Sequence, residues 1–463
     1  MPSKMSGDTD VRFIESILQE GVDREACAGH GEQHRDGKEG PQSAERLRIV
    51  WLEHLAVLND DLPGRIALVH EWFSPQSTGG AEQVVKTIDQ LFRDQDRLPQ
   101  LAALVDGESS RETSWLRGRS VLTSPIQDLP WGINHVQQYL PLLPYAIEQI
   151  DLEAAELVIS SSHLVAKGVL TSPDQLHISY IHTPVRYAWD QMYAYLRRSA
   201  LARYGLGPLI RWQLHKLRQW DVLSAQRIDH LIANSRFTAR RIQKFWGRTS
   251  DVVHPPVQVE RFRWNRSRDD FYLCLCRLVP YKRVDLVIEA FNQLRLPLLV
   301  VGDGSDYRVL RGMAGPTVTL LGRQSQLQVE SLMATCRAFV YGGVEDFGIA
   351  PVEAMASGAP VIGLARGGLL DTVRCIHSGV GAPTGLLFRK QSVESIAEAV
   401  QWFHEQMLWK QFRADRIRLW AERFRPEVFK RRFRSVVQRT WSAHQQSCAV
   451  AASDPGQMPE LSV

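Results

Sequence analysis

Residues 341 to 360 read YGGVEDFGIAPVEAMASGAP, and they place two glutamates, Glu345 and Glu353, among glycine, alanine and apolar residues with no cation close by in sequence. The run AFVY ahead of them reads as a strand. Pro351 suits the first turn of a helix, because its φ is already helical and its missing amide would have no partner there. Glu345 then lies in the loop before that helix and Glu353 in its first turns, both near an electropositive end rich in amides. A helix-dipole role accounts for Glu345 or Asp346 alone, but not for two glutamates. A carboxylate also accepts two hydroxyl hydrogen bonds at once, as acidic residues hold ribose diols in dinucleotide sites. The expected partners are therefore ligand hydroxyls, a ribose for Glu353 and a sugar ring for Glu345.

The same strand, loop and helix grammar extends in both directions. RIALVHEWF from Arg65 is a buried-strand run, followed by the loop SPQSTGG and by AEQVVKTIDQLF, apolar at helical spacing. LAALVD, LVISSS, HISYIHT and HLIANS repeat the pattern. After the link VVHPPVQVERF a second series begins with FYLCLCRL, LPLLVVGDG, VTLLG, AFVYGG and PVIGLA. Parallel strands joined by crossover helices satisfy such a series, which predicts an α/β fold of two doubly wound domains. The expected divisions are a polar N-terminal extension at 1–64, domains at 65–255 and 256–425, a basic amphipathic helix at 426–441 and a tail at 442–463. Within the extension, RIVWLEHLAVL reads as a short helix, while His30 and His34 lack a third ligand and read as solvated.

The chain of 463 residues is long enough for two cores, and 44% hydrophobic with 23% charged residues is an ordinary globular composition. A net charge of +4 is too mild for nucleic acid, but suits a small anion or an anionic membrane surface. The six cysteines show neither zinc nor disulfide spacing and read as reduced thiols, with Cys274 and Cys276 on one strand face. No window reaches the ~18 consecutive apolar residues of a spanning helix, and the N-terminus has no leader pattern, so a cytoplasmic protein is expected.

In open parallel sheets, ligands gather at the carboxyl ends of the strands. CRLVPYKRVDLVIEAF puts Arg277 and Lys282 at such an end and ahead of a helix, where cation and dipole both favour phosphate. Gly79 and Gly80 open a helix and let backbone amides approach a diphosphate. VVGDGSDY lacks the third glycine of GxGxxG, which argues against an NAD site. His182 in YIHTPVRYAWD follows a strand and precedes a loop with Arg186, Tyr187, Trp189 and Asp190; His163 in SSSHLVAKG is a second candidate, with Ser160 to Ser162 read as caps of a following helix. The acidic turn Asp94 to Asp96 reads as solvated surface. RRSALARYGLGPLIRWQLHKLRQWD, residues 197–221, combines basic residues, tryptophans and an apolar stripe, as an interfacial helix does.

Taken together, EDFGIAPVEAMASGAPV with its E-x7-E spacing, RLVPYK, VGDG, ANSRF and the Gly367–Gly368 pair resemble the GT-B family of retaining glycosyltransferases over most of residues 65–440. The resemblance implies two Rossmann-like domains facing across a cleft, acceptor first and donor second, with the C-terminal helix crossing back to the first. It implies a donor held by Gly80, Arg277, Lys282, Gly302, Glu345, Phe347, Gly348, Ile349 and Glu353, and catalytic roles for His182, Glu345, Arg277 and Lys282, with no metal and no cofactor. HTPVRYAWDQMY, SSSHLVAKG and CRLVPYKRVDL look like the bacterial branch similar to mannosyltransferases of exopolysaccharide and O-antigen assembly. That branch implies GDP-mannose as donor and a polyprenyl-diphosphate-linked oligosaccharide as acceptor, at the inner face of the plasma membrane. A UDP-glucose-type hexosyltransferase and a non-catalytic sugar-nucleotide-binding protein are the alternatives. Cys276 departs from the family pattern by replacing the glycine usual before the arginine, and residues 1–64 have no counterpart in it.

Overall fold

The strands are near-continuous apolar runs because both faces of each sheet are covered by helices. In a computed structural model that describes residues 62–74, 79–198, 202–379 and 381–453, they form two parallel sheets. The expected N-terminal extension, its RIVWLEHLAVL helix and its two histidines therefore lie, apart from residues 62–64, outside the described residues.

The first sheet contains β1 (Ile66–His70), β2 (Gln100–Ala103), β3 (Val121–Thr123), β4 (Leu157–Ser162), β5 (Leu176–Ile181), β6 (His230–Ala233) and β7 (Asp251–Val252), in the order β3-β2-β1-β4-β5-β6-β7. The second contains β8 (Tyr272–Leu275), β9 (Leu298–Val301), β10 (Val318–Gly322), β11 (Ala338–Tyr341), β12 (Val361–Leu364) and β13 (Gly385–Phe388), in the order β10-β9-β8-β11-β12-β13. Each order reverses beside its first strand, the point where a doubly wound sheet opens a crevice for ligand.

Among the helices are α1 (Gly80–Arg93), α2 (Gly207–Gln226), α3 (Arg236–Trp246), α4 (Val284–Leu294) and α5 (Ile349–Ala356). Another, α6 (Pro426–Ser453), follows the second domain in sequence yet sends Phe429, Phe433, Val436, Val437 and Trp441 into the core of the first. Phe429 and Phe433 lie 5.8 and 6.4 Å from the buried ring of Tyr180 on β5. This is the crossing predicted for the basic C-terminal segment, but the helix runs on to Ser453 where the sequence reading ends it at 441. The continuation is cheap because its side chains are solvated: Ala443 and residues 445–449 are exposed.

Ser160 to Ser162 do not cap a helix. They are buried strand residues of β4, where Ser160 Oγ donates to Ser179 Oγ on β5 at 2.7 Å and lies 2.9 Å from His177 Nε2. Short hydroxyls satisfy one another between adjacent strands, so a polar run fits inside a sheet. Asp94 at the end of α1 accepts from Lys430 Nζ on α6 at 2.7 Å, which ties the acidic turn to the crossing helix.

Candidate functional site

The carboxyl ends of β1, β4 and β5 carry a row of imidazoles. His70 ends β1, His163 follows β4 and His182 follows β5; the His163 ring centroid lies 6.2 Å from that of His70 and 6.5 Å from that of His182. Ser161 Oγ lies 2.8 Å from His182 Nε2, and His182 N donates to Ser162 O. Burial first, and the neighbouring His163 and His70 after it, hold His182 well below the usual histidine range. It is a neutral ring at neutral pH.

Beneath this row lies Glu71, fully buried and absent from the sequence-level candidates. Its carboxylate accepts from Ser162 Oγ and from the backbone amides of His163, Leu164, Val165 and Ala166, at 2.6 to 3.0 Å. Burial pushes its carboxyl up, but the neighbouring His163 and the amide hydrogen bonds outweigh this, and the value lies below the ordinary range. An acid directly after an all-buried strand was the available signal: such a charge persists only when it is fully hydrogen-bonded.

On the second sheet, β8 ends at Leu275, and a short turn over Pro280–Lys282 leads into α4. Arg277 is exposed, and its guanidinium has no partner among the described residues. Lys282 is largely buried and pairs with Glu345 Oε1, which also accepts from the Tyr341 hydroxyl. Glu345 thus has a cation partner within the chain, which arrives from 63 residues upstream. Parallel strands bring the loops after β8 and β11 side by side, and sequence proximity carries no information about that. Burial opposes the Lys282 charge, yet Glu345 beside it holds the ammonium above its usual value.

Gly348 caps α5 with φ +93°, and Phe347 is buried against His254 and Phe424, at 5.4 and 5.5 Å between rings. Glu353, in the second turn of α5, differs from Glu345. It is half-buried, its carboxylate has no hydrogen bond or ion pair among the described residues, and burial raises its value. Gly302 follows β9 at φ +138°, and a Cβ there would lie 1.9 Å from the carbonyl oxygen of Cys276, so only glycine fits. Gly80 starts α1 of the first domain, and a Cβ on it would meet Ile349 Cδ1 at 2.2 Å. The two glycine-rich helix starts therefore face each other at contact distance across the cleft.

The domains are also joined by charge. Asp346, buried, accepts from Arg186 Nε at 3.0 Å and from Arg241 Nη1 at 2.9 Å, both in the first domain. Arg241 reaches back to Thr183 Oγ1 at 2.6 Å and to Asp190 Oδ1 at 2.9 Å. Burial opposes the Asp346 charge, and the two arginines hold its value down regardless. At the rim, Asp371 accepts from the backbone and side chain of Arg236 at 2.7 and 2.6 Å. The structure thus collects His182, Lys282, Glu345, Gly80 and Ile349 along one cleft, with Arg277 and Gly302 at the carboxyl edge of the second sheet.

Residues 257–416 match the model of the family described as glycosyl transferases group 1. An uncharacterized glycosyltransferase of Methanocaldococcus jannaschii is 27% identical over 205 residues, 43% of this chain and 56% of that protein. The match spans little more than half the length of that relative. A GDP-mannose-dependent alpha-mannosyltransferase of Mycobacterium tuberculosis is 26% identical over 339 residues, 69% of this chain and 84% of that protein. The solved structure of Anabaena HepE in complex with UDP superposes with a TM-score of 0.58 at 17% identity, covering 81% of this chain and 99% of that one. The chain has the two-domain GT-B fold of such solved structures, and residues 257–416 of its second domain are similar to the glycosyl transferases group 1 family.

Proposed function

We propose that the chain is a retaining glycosyltransferase that moves mannose from GDP-mannose to a hydroxyl of a polyprenyl-diphosphate-linked oligosaccharide. The observation that carries this reading is a shared partner: one guanidinium, that of Arg241, bonds both Thr183 beside His182 and Asp346 beside Glu345. A neutral imidazole and a lysine-paired carboxylate on loops joined in this way suit a sugar ring held from both sides. Arg277, Lys282 and the start of α5 face the departing diphosphate, while Glu353, with its carboxylate free, takes the ribose diol. The bond from the anomeric carbon to the diphosphate oxygen breaks, the acceptor oxygen bonds the same face of that carbon, and the acceptor proton passes to the departing phosphate oxygen. Mannose and the guanine base are supported by the activity for which the Mycobacterium tuberculosis relative is named.

A UDP-sugar donor is the second reading, favoured by the UDP in HepE. Incubating the purified chain with labelled GDP-mannose, UDP-glucose and other sugar nucleotides over a bacterial lipid extract decides between them. Transfer from GDP-mannose alone is the expected result, and binding without transfer or hydrolysis of any donor would leave a sugar-nucleotide sensor. Activity is expected to survive EDTA, because cations of the chain meet the leaving charge; loss on chelation with recovery on added magnesium would overturn that part.

Work at the inner face of the plasma membrane, in exopolysaccharide or O-antigen assembly, belongs to the same reading. Its support is α2, whose apolar residues divide: Leu214 and Leu217 are buried, while Leu209 and Trp212 are more than half exposed beside exposed Arg211 and Lys216. No helix among the described residues is long and apolar enough to cross a membrane. The side chains of Arg198 and Arg203 lie outside the described residues.

A further inference from the structure

The donor end of the cleft is built from two segments of the second domain: the turn Pro280–Lys282, which supplies Lys282, and the loop after β11, which supplies Glu345. A single side chain of the first domain touches both. Arg186 donates through Nε to Asp346 Oδ2 at 3.0 Å, one residue from Glu345, and its guanidinium lies 5.1 Å from the ring centroid of Tyr281, one residue from Lys282. A planar, always-charged fork serves both contacts, one as a directed hydrogen bond and the other as a face-on cation on an aromatic ring. The second oxygen of Asp346 is taken by Arg241, which in turn bonds Thr183 and the carbonyl of Pro184 in the loop that follows His182. Among the described residues, Asp346 is thereby the one carboxylate that connects the loop of the first-domain histidine with the loop of the second-domain glutamate.

We infer that Arg186 and Asp346 are positioning residues for transfer: from opposite domains they set the separation between His182 and the Lys282–Glu345 pair. This rests on the proposed glycosyl transfer, and neither residue is placed in contact with substrate. Chemistry at the anomeric carbon depends on that separation, whereas the proposed nucleotide contacts of Glu353, Arg277 and Lys282 all come from the second domain. Loss of the brace should therefore depress turnover while sparing nucleotide affinity. A small misplacement of reacting groups is enough to cost roughly 100-fold in rate.

The test compares wild type, Arg186→Ala, Arg186→Lys and Asp346→Asn in the full chain, with GDP affinity by calorimetry and transfer turnover at saturating donor. Asp346→Asn keeps size and shape and guards against a misfolded arginine variant. Turnover at least tenfold lower in Arg186→Ala and Asp346→Asn, GDP affinity within threefold of wild type, and only partial recovery in Arg186→Lys are expected. Turnover within twofold of wild type overturns the inference, as does a parallel loss of turnover and GDP affinity. Should the wild type transfer from no sugar nucleotide, the proposed function has failed instead. Small-angle scattering then decides the brace: a larger radius of gyration in both Arg186→Ala and Asp346→Asn sustains it, and an unchanged one overturns it.

Discussion

Glu71 and Glu353 are both acids at the ligand edge of a parallel sheet, one in each domain, and they are treated in opposite ways. Five donors converge on Glu71 and outweigh the upward push of burial on its carboxyl. Glu353 has none among the described residues, and burial leaves its value raised. A carboxylate saturated by its own chain is part of the architecture, here the clamp on the segment carrying His163. One left half-buried and unsaturated carries a cost in the free protein that a ligand can offset.

The largest expected effect is on the saturated side. Glu71→Ala strands four backbone amides and a hydroxyl, and should lower folding stability by roughly 3–5 kcal/mol, the cost of removing one side of a buried charged arrangement. Urea unfolding of the full chain measures it. A loss under about 1 kcal/mol would show that the amides find water and that the contrast with Glu353 is superficial. Next in size is Glu345→Gln, which unpairs Lys282 at the reacting end and should reduce turnover by about 100-fold while GDP affinity changes far less. Equal losses in both quantities would move Glu345 from the sugar to the nucleotide.

Much of this contrast was hidden in the sequence for a physical reason. Alternating buried runs and amphipathic segments read correctly as two doubly wound domains, because that pattern follows from covering both faces of a parallel sheet. The positions of Glu345 and Glu353 around the start of α5 were also legible, since capping and Pro351 act locally. What remained hidden was pairing through space. Lys282 reaches Glu345 only because β8 and β11 are neighbours, and Asp346, for which a helix-dipole role would have sufficed, is held by Arg186 and Arg241 from the other domain. Glu71 could have been suspected from an acid closing the run RIALVHE, but its five donors come from a segment more than 90 residues away.

A smaller effect tests the unsaturated side. Glu353→Ala should weaken GDP binding by roughly 1–3 kcal/mol, because the ribose hydroxyls lose their acceptor, and should leave stability unchanged or slightly improved. The two glutamates also give opposite responses to pH. Glu71, depressed in the folded state, contributes stability that is complete above the unfolded value of about 4.3 and is lost as pH falls through the lower folded value. Glu353, raised in the folded state, penalises folding above its folded value, and that penalty is relieved as pH falls toward about 4.3. GDP affinity should fall over the Glu353 window, since the ionised carboxylate is the better double acceptor. Calorimetric titration of GDP across mildly acidic pH checks this, and a flat wild-type profile identical to that of Glu353→Ala would remove Glu353 from the ribose.

The smallest effect concerns α2, where the same distinction between satisfied and unsatisfied groups reappears as apolar surface. Leu214 and Leu217 are covered by the first-domain core, whereas Leu209 and Trp212 are left in water beside Arg211 and Lys216. Tyr204 and Leu206, just ahead of the helix, extend the exposed apolar strip. Aromatic and aliphatic side chains interleaved with cations match the boundary of an anionic bilayer, each cation adding about 1 kcal/mol near the surface. Liposome co-sedimentation at low salt should therefore recover the chain with anionic but not neutral vesicles. Raising the salt should release it, because the attraction is screened within about 10 Å at 0.1 M. Arg211→Glu combined with Lys216→Glu should abolish sedimentation while donor hydrolysis in solution is retained, as both residues lie outside the cleft. Equal recovery on neutral vesicles would point to the apolar strip alone, and no recovery on either would make α2 an ordinary surface helix with an exposed tryptophan.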